Sequence, residues 1–345
     1  MKKTTILSID GGGIRGILPG VVIAYIEQQL QKREGEDVRL SDYFDLIAGT
    51  STGGILSCLY LTPNEEGRPK FTASEAVSLY LENGSSIFNR PWYRKISNPA
   101  ALFKAKYDVE ALEKIVLSYL GDARLSQCVK PCLITAYDFF QRRSIFFNKK
   151  DTLKGEIFDY YLRDIARSTS AAPTYFKPSR IYSVFNAPLS LIDGGVFANN
   201  PAMCAYAEAR TSDFSRLLDR SDKPAFPGVD DMLVISIGTG SKGEPYHFNK
   251  AKKWGVAGWL PPLIDILMSG NSETVDYQLK QLFATSKNEE RGGYYRLAPS
   301  VGEACTKLDD ASHKNMKLLE EAGRSFVAEN REILNEIVDL LILNK

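Results

Sequence analysis

The feature that most restricts this chain is a repeated local pattern: a short apolar run, stopped by glycines, followed at once by a helical run. Residues 6–9 lead into Asp10-Gly11-Gly12-Gly13, and residues 21–30 then show helical spacing. Pro19 stands near the start of that run, where proline is tolerated. Residues 46–48 lead into Gly49-Thr50-Ser51-Thr52-Gly53-Gly54, and a second helix begins over residues 55–60. Strands this short and this apolar need cover on both faces, as in a parallel sheet flanked by helices.

The same alternation continues. Asp108 and Gly121 read as the caps of a helix carrying Leu112, Ile115, Val116 and Leu120. Residues 133–137 and 145–147 read as strands, and 157–166 as a helix with Tyr161 and Ile165 on its apolar face. Residues 189–192 and 233–237 are further strands ended by glycine. Residues 62–70 and 211–231 are polar surface connections. Beyond Gly240 the pattern turns helical: Val275, Leu279 and Leu282 share one face, Met316, Leu319 and Phe326 another, and 333–343 forms a last helix. The expected class is α/β, a three-layer α/β/α fold with a largely parallel central sheet. Residues 1–245 form the catalytic domain and 246–345 a mainly helical C-terminal extension packed on it. A chain of 345 residues can bury one core of that size.

Charge narrows the partners. With 43 basic and 42 acidic residues the net charge is +1, so no global field draws in nucleic acid, and none is expected as a partner. The five cysteines are scattered; Cys128 and Cys132 lie four apart, but no second pair or nearby histidine completes a zinc site. Reduced thiols and a cytoplasmic setting are the expectation. Lys2 and Lys3 precede an apolar run too short for a signal peptide, and no stretch approaches the length of a membrane span.

Three segments carry chemistry. Gly49-Thr50-Ser51-Thr52-Gly53 is a G-x-S-x-G sequence between a strand and a helix, the context a nucleophile elbow needs. Its flanking residues must be small, and the following helix N-terminus favours a developing anion. Gly11-Gly12-Gly13-Ile14-Arg15-Gly16 satisfies a dinucleotide-binding pattern. The second strand with an acidic end, which that pattern requires, is missing: residues 28–37 are a helix tail and a charged turn. An oxyanion hole built from glycine N–H groups suits the segment better. Arg15 either steadies that loop or anion, or is a surface arginine paired with a carboxylate. Asp193-Gly194-Gly195 follows a strand and can meet Ser51 across one edge of a parallel sheet. The two histidines, His247 and His313, lie in polar or helix-start contexts and read as surface or capping residues. An aspartate must then take the serine proton directly.

Together, in this order, "SIDGGGIRGILPG", "DLIAGTSTGG", "ARSTSAAPTYF", "LIDGGVFANNPA" and "VISIGTG" resemble the patatin-like phospholipase family. The resemblance implies a Ser51–Asp193 dyad without histidine, and hydrolysis of fatty-acyl esters in phospholipids or related lipids. It implies an oxyanion hole from Gly11, Gly12 and Gly13 aided by Arg15, and neither metal nor cofactor. Lacking a leader, the chain looks more like the bacterial cytoplasmic members than the plant storage members. Some of those bacterial relatives are antiviral effectors that a cyclic dinucleotide switches on. The expected partners are therefore membrane phospholipid at the inner face of the membrane, a cyclic dinucleotide as candidate activator and a second copy of the chain as candidate oligomer partner. A constitutive housekeeping lysophospholipase is the alternative.

Two segments suggest how lipid is reached. Trp254, Trp259, Leu260, Pro261, Pro262, Leu263, Ile264, Ile266, Leu267 and Met268 are either core packing for C-terminal helices, or an interfacial contact or acyl groove. Trp92, Tyr93, Arg94, Lys95, Phe103, Lys104 and Lys106 interleave aromatic and basic side chains, suited to anionic headgroups or to an ordinary exposed loop.

Overall fold

A computed structural model describes residues 1–88, 105–240, 245–286 and 293–345. Its strands are β1 (Thr4–Ile9), β2 (Leu46–Gly49), β3 (Cys132–Asp138), β4 (Arg143–Asn148), β5 (Ser179–Tyr182), β6 (Pro188–Asp193), β7 (Met232–Ile237) and β8 (Tyr294–Leu297). Among the described residues they form one sheet ordered β5-β6-β3-β2-β1-β7-β8, with β4 paired to β3 off that path. The run from β3 through β2, β1 and β7 to β8 is parallel, whereas β4, β5 and β6 pair antiparallel. The sheet is thus largely parallel, with one antiparallel flank.

Alternation along the strands assigns each face its cover. Leu7, Ile9, Ile47, Ile134, Ile235 and Ile237 look into the larger core. That core is closed by α1 (Ile17–Glu34), α2 (Thr52–Leu61), α3 (Ala73–Ile87), α4 (Glu110–Leu120) and α5 (Leu162–Thr169), with α10 (His313–Glu329) and α11 (Arg331–Asn344) beyond them. Ile6, Leu46, Leu133 and Val234 face the other way, against α6 (Ala202–Arg210) and α7 (Phe214–Leu217). The second half of α9 (Val256–Phe283), which follows the short α8 (Phe248–Ala251), completes that layer through buried Val275 and Leu279. The fold is three-layered α/β/α, with the thicker helical layer on one side.

Residues 246–345 are woven into the sheet as well as packed on it, since they supply β8. The chain's end is pinned back to its start. The buried Lys223 ammonium donates to the carbonyls of Lys3 and Asn344 and pairs with Asp45. The Asn344 side chain accepts the Lys3 N–H at 2.7 Å.

Within these elements sequence and structure part at four places. The helix expected over 157–166 begins only at Leu162. Residues 156–158 form a tight 3-10 turn, and the Asp159 carboxylate is spent on the N–H and hydroxyl of Ser126. Bonding of that kind draws a chain out of helix. Helix α4 takes Val109, not Asp108, as its N-cap residue. Strands β5 and β8 had no sequence signal, being four residues each and rich in polar side chains.

Candidate active site

Ser51 sits where β2 hands over to α2, with φ 54° and ψ −121°. Few side-chain-bearing residues adopt such a backbone, which costs of order 1–3 kcal/mol and persists only where the surroundings enforce it. Here they do. A Cβ on Gly49 would lie 2.3 Å from the Gly53 carbonyl oxygen, and one on Gly53 would lie 2.2 Å from that of Ile9. The turn is held by Thr50 N–H donating to the Ile9 carbonyl at 3.2 Å and Ser51 N–H donating to the Thr169 hydroxyl at 2.9 Å.

Asp193 reaches the same pocket as Ser51 from the neighbouring flank, close enough for the Ser51 hydroxyl to pull on its carboxyl. The route differs from the expected one. Strand β6 runs antiparallel to β3, with Asp193 opposite Ala136, so the aspartate arrives from the opposite strand direction and not along a shared parallel edge. The chain then turns sharply. Gly195 N–H donates to the Asp193 carboxylate at 2.7 Å, and a Cβ on Gly194 would lie 2.0 Å from the Thr135 hydroxyl. Burial pushes the Asp193 carboxyl up to about 7, against the opposing pull of the Ser51 hydroxyl and the Gly195 N–H. Both histidines are exposed, His247 ahead of α8 and His313 at the first turn of α10.

The glycine loop lies beside the elbow. Gly11 N–H is committed to the Asn199 carbonyl at 3.0 Å and cannot serve an oxyanion, which corrects the expectation that Gly11, Gly12 and Gly13 act alike. Among the described residues the N–H groups of Gly12 and Gly13 have no partner. The room is tight: a Cβ on Gly12 would lie 2.2 Å from the Thr239 hydroxyl, and Gly13 combines φ 59° with the Leu308 carbonyl 2.2 Å from a Cβ. Gly16 has the same need, since its Cβ would meet the Thr52 hydroxyl at 2.0 Å.

Arg15 is buried and forms no ion pair among the described residues. Its guanidinium donates to the carbonyls of Gly240 at 2.9 Å and Gly12 at 3.4 Å, so it steadies the loop, and the surface-pair reading falls.

Other parts of the site were missed in the sequence. Asp10, at the head of the loop, is gripped by both terminal nitrogens of Arg296 from β8, at 2.9 and 2.5 Å. Thr239 donates its hydroxyl to the Gly11 carbonyl at 2.7 Å. Thr169 lies inside "ARSTSAAPTYF", a quoted motif whose individual roles the sequence left blank. Asn199 donates to Ser272, while its side-chain oxygen is buried, without a partner among the described residues, and 2.5 Å from where a Gly11 Cβ would stand.

Above these groups opens a pocket of about 960 Å³, its mouth included. Ser51, Asp193 and Gly13 form its floor; Ile55, Tyr80, Leu112 and Phe176 form its walls; Ile264, Leu267 and Met268 of α9 roof it. The described part of 254–268 is therefore not core: it lines the pocket and is also exposed at Trp259, Leu263, Ile266 and Leu267. Of the aromatic and basic segment, Trp92, Tyr93, Arg94, Lys95, Phe103 and Lys104 lie outside the described residues, and Lys106 pairs with Asp309. Among the described residues no cluster of His, Cys, Asp or Glu is placed to hold a metal ion, and no helix is long and apolar enough to cross a membrane.

Comparison with known proteins identifies the family. The family profile described as Patatin-like phospholipase matches residues 7–206, which hold Ser51, Asp193 and the glycine loop. Patatin-like protein 2 of Oryza sativa subsp. indica is 37% identical over 351 residues, covering 96% of this chain and 85% of that protein. Patatin-like protein 2 of Arabidopsis thaliana is 37% identical over 340 residues, covering 92% and 81%. Patatin group J-1 of Solanum tuberosum is 34% identical over 341 residues, covering 94% and 84%. The crystal structure of VipD from Legionella pneumophila overlaps with a TM-score of 0.38 at 12% identity, covering 95% of this chain and 67% of that one.

Proposed function

The chain belongs to the patatin-like phospholipase family of lipid acyl hydrolases, and from that premise we propose that it cleaves fatty-acyl esters of membrane phospholipids through a Ser51–Asp193 dyad. The observation that carries this reading is that Ser51, on its strained turn, and a buried Asp193 whose carboxyl is lifted to about 7 line one apolar pocket. An ordinary carboxylate is too weak a base to activate a hydroxyl; burial narrows that gap while leaving the group ionised in mildly alkaline solution.

The Ser51 oxygen attacks the ester carbonyl as its proton passes to Asp193. The carbonyl oxygen becomes an oxyanion within reach of the free Gly12 and Gly13 N–H groups, each such donor contributing about 3 kcal/mol. The intermediate collapses, the acyl group stays on Ser51, and protonated Asp193 returns its proton to the departing alcohol oxygen. Water then gives a proton to Asp193, attacks the acyl carbon and releases fatty acid, and Ser51 recovers its proton. The apolar walls suit the acyl chain.

Ser51→Ala should abolish fatty-acid release from mixed phospholipids while leaving the fold unchanged; release at the wild-type rate overturns the assignment. Run with and without cyclic dinucleotides, the same assay separates the two regulatory proposals. Stimulation supports a switched effector of bacterial antiviral defence acting at the inner membrane face. A high unstimulated rate supports a housekeeping lysophospholipase.

A further inference from the structure

The roof of the pocket has a second apolar face that is exposed among the described residues. Along the first half of α9, Val256, Trp259, Leu263, Ile266 and Leu267 recur at the three-and-four spacing of one helix side. All five are exposed, Val256 at 92% and Leu267 at 55%. A different side of the same helix, Ile264 and Met268 followed by Val275 and Leu279, faces the pocket and then the core. In that first half the polar residues, Asp265 and Ser269, lie on a third stripe, which Glu273, Asp276 and Lys280 continue. A helix that merely covered a pocket would turn only polar residues to water; beside its exposed polar stripe, this one also turns aliphatic and aromatic side chains outward.

Two further observations say what meets that face. The segment leading into it carries exposed Lys250, Lys252 and Lys253, together with Phe248, which is 76% exposed. Basic residues beside an apolar helix face complement a surface that is negative above and hydrocarbon below. Trp254 and Trp259 meet edge to face with ring centres 5.1 Å apart, placing amphipathic rings between the lysines and the aliphatic residues, at headgroup depth. The face is also continuous with the site, since Leu267 is exposed and at the same time lines the pocket.

We propose that the first half of α9, with the lysines before it, seats this protein on an anionic lipid bilayer. The outward face enters the acyl boundary, and the pocket opens into the same layer. The proposal rests on the phospholipase reading of the pocket, because it takes the acyl chain to pass directly from bilayer to Ser51.

The test uses the full chain and vesicles of ether-linked lipids, which an acyl hydrolase cannot consume. Phosphatidylcholine vesicles with roughly one-third phosphatidylglycerol should bind at least about tenfold more tightly than pure phosphatidylcholine. Leu263→Asp with Ile266→Asp should cost about tenfold or more in vesicle binding, with hydrolysis of a water-soluble short-chain ester held within about twofold. Lys252→Glu with Lys253→Glu should abolish the preference for anionic vesicles and leave the soluble-ester rate alone. Wild-type binding by the aspartate variant overturns the proposal, as does a wild-type protein that ignores both vesicles. So does a dimer in gel filtration that Ile266→Asp dissolves without any vesicle binding, which assigns the face to a second copy. A wild-type protein that binds anionic vesicles yet leaves both the soluble ester and ester-linked phospholipid intact, with and without cyclic dinucleotides, overturns the phospholipase reading instead.

Discussion

The floor and the roof of the pocket are built on opposite terms. The floor is bonded and crowded around its free oxyanion-facing amides: Ser51 N–H to Thr169, Gly11 N–H to Asn199, Asp10 to Arg296, and glycines that admit no Cβ. The roof, the first half of α9, turns bare apolar side chains to solvent. A rigid floor fixes reacting atoms to within a fraction of an ångström, which is what a proton transfer without histidine demands. A roof with an exposed apolar face suits the proposed contact with another phase. Chemistry and access are thus assigned to separate parts of the chain.

The largest effects should come from the floor. Asp193→Asn should lower the rate of ester hydrolysis by about 10²–10⁴-fold, because an amide cannot accept the serine proton. In the wild type, kcat/KM should rise with pH through about 7 as Asp193 ionises, and a pH–rate profile checks this. The same substitution carries a stability signature. The folded-state value of Asp193 lies above the unfolded one, so folding favours its protonated form. That contribution is full below about pH 4 and is lost as pH rises through about 7, at most about 4 kcal/mol. Denaturant titrations at several pH values should show the slope in the wild type and its loss in Asp193→Asn.

Next in size, Arg296→Ala should destabilise the fold by about 3–5 kcal/mol, since it strands the buried Asp10 carboxylate, and it should loosen the glycine loop so that the rate falls too. Urea unfolding with a parallel assay measures both. Gly53→Ala should cost about 1–3 kcal/mol, because its Cβ must push against the backbone of β1. The smallest effect belongs to the roof: Leu263→Asp with Ile266→Asp should move the unfolding midpoint by the equivalent of about 0.5 kcal/mol or less. A loss as large as that of Arg296→Ala would erase the contrast between the two regions.

How much of this could be read in advance follows the same division. The elbow was legible because its constraint is local: a serine forced into a left-handed turn between strand and helix leaves glycines on either side in sequence. The glycine loop was legible for the same reason, though not the fact that Gly11 spends its N–H on Asn199, a partner 188 positions away. The place of Asp193 at the end of a strand was read from its motif, yet the antiparallel course of β6 was not, because strand direction is set by pairing and leaves no mark in so short a run. Arg296 was silent in sequence. A lone arginine in a short polar strand looks exposed until Asp10 is seen beside it. The apolar stretch in α9 left two readings open, since periodicity shows that a face exists but not what covers it.

The most direct test is the mass of the protein caught during turnover. With a phospholipid substrate, quenching in acid and digestion should yield the Ser51 peptide carrying one fatty-acyl group. The adduct should be absent from Ser51→Ala and present in a His247→Ala, His313→Ala double variant. Acylation at another residue, or rapid fatty-acid release with activity lost in the histidine variant, would contradict a serine–aspartate dyad.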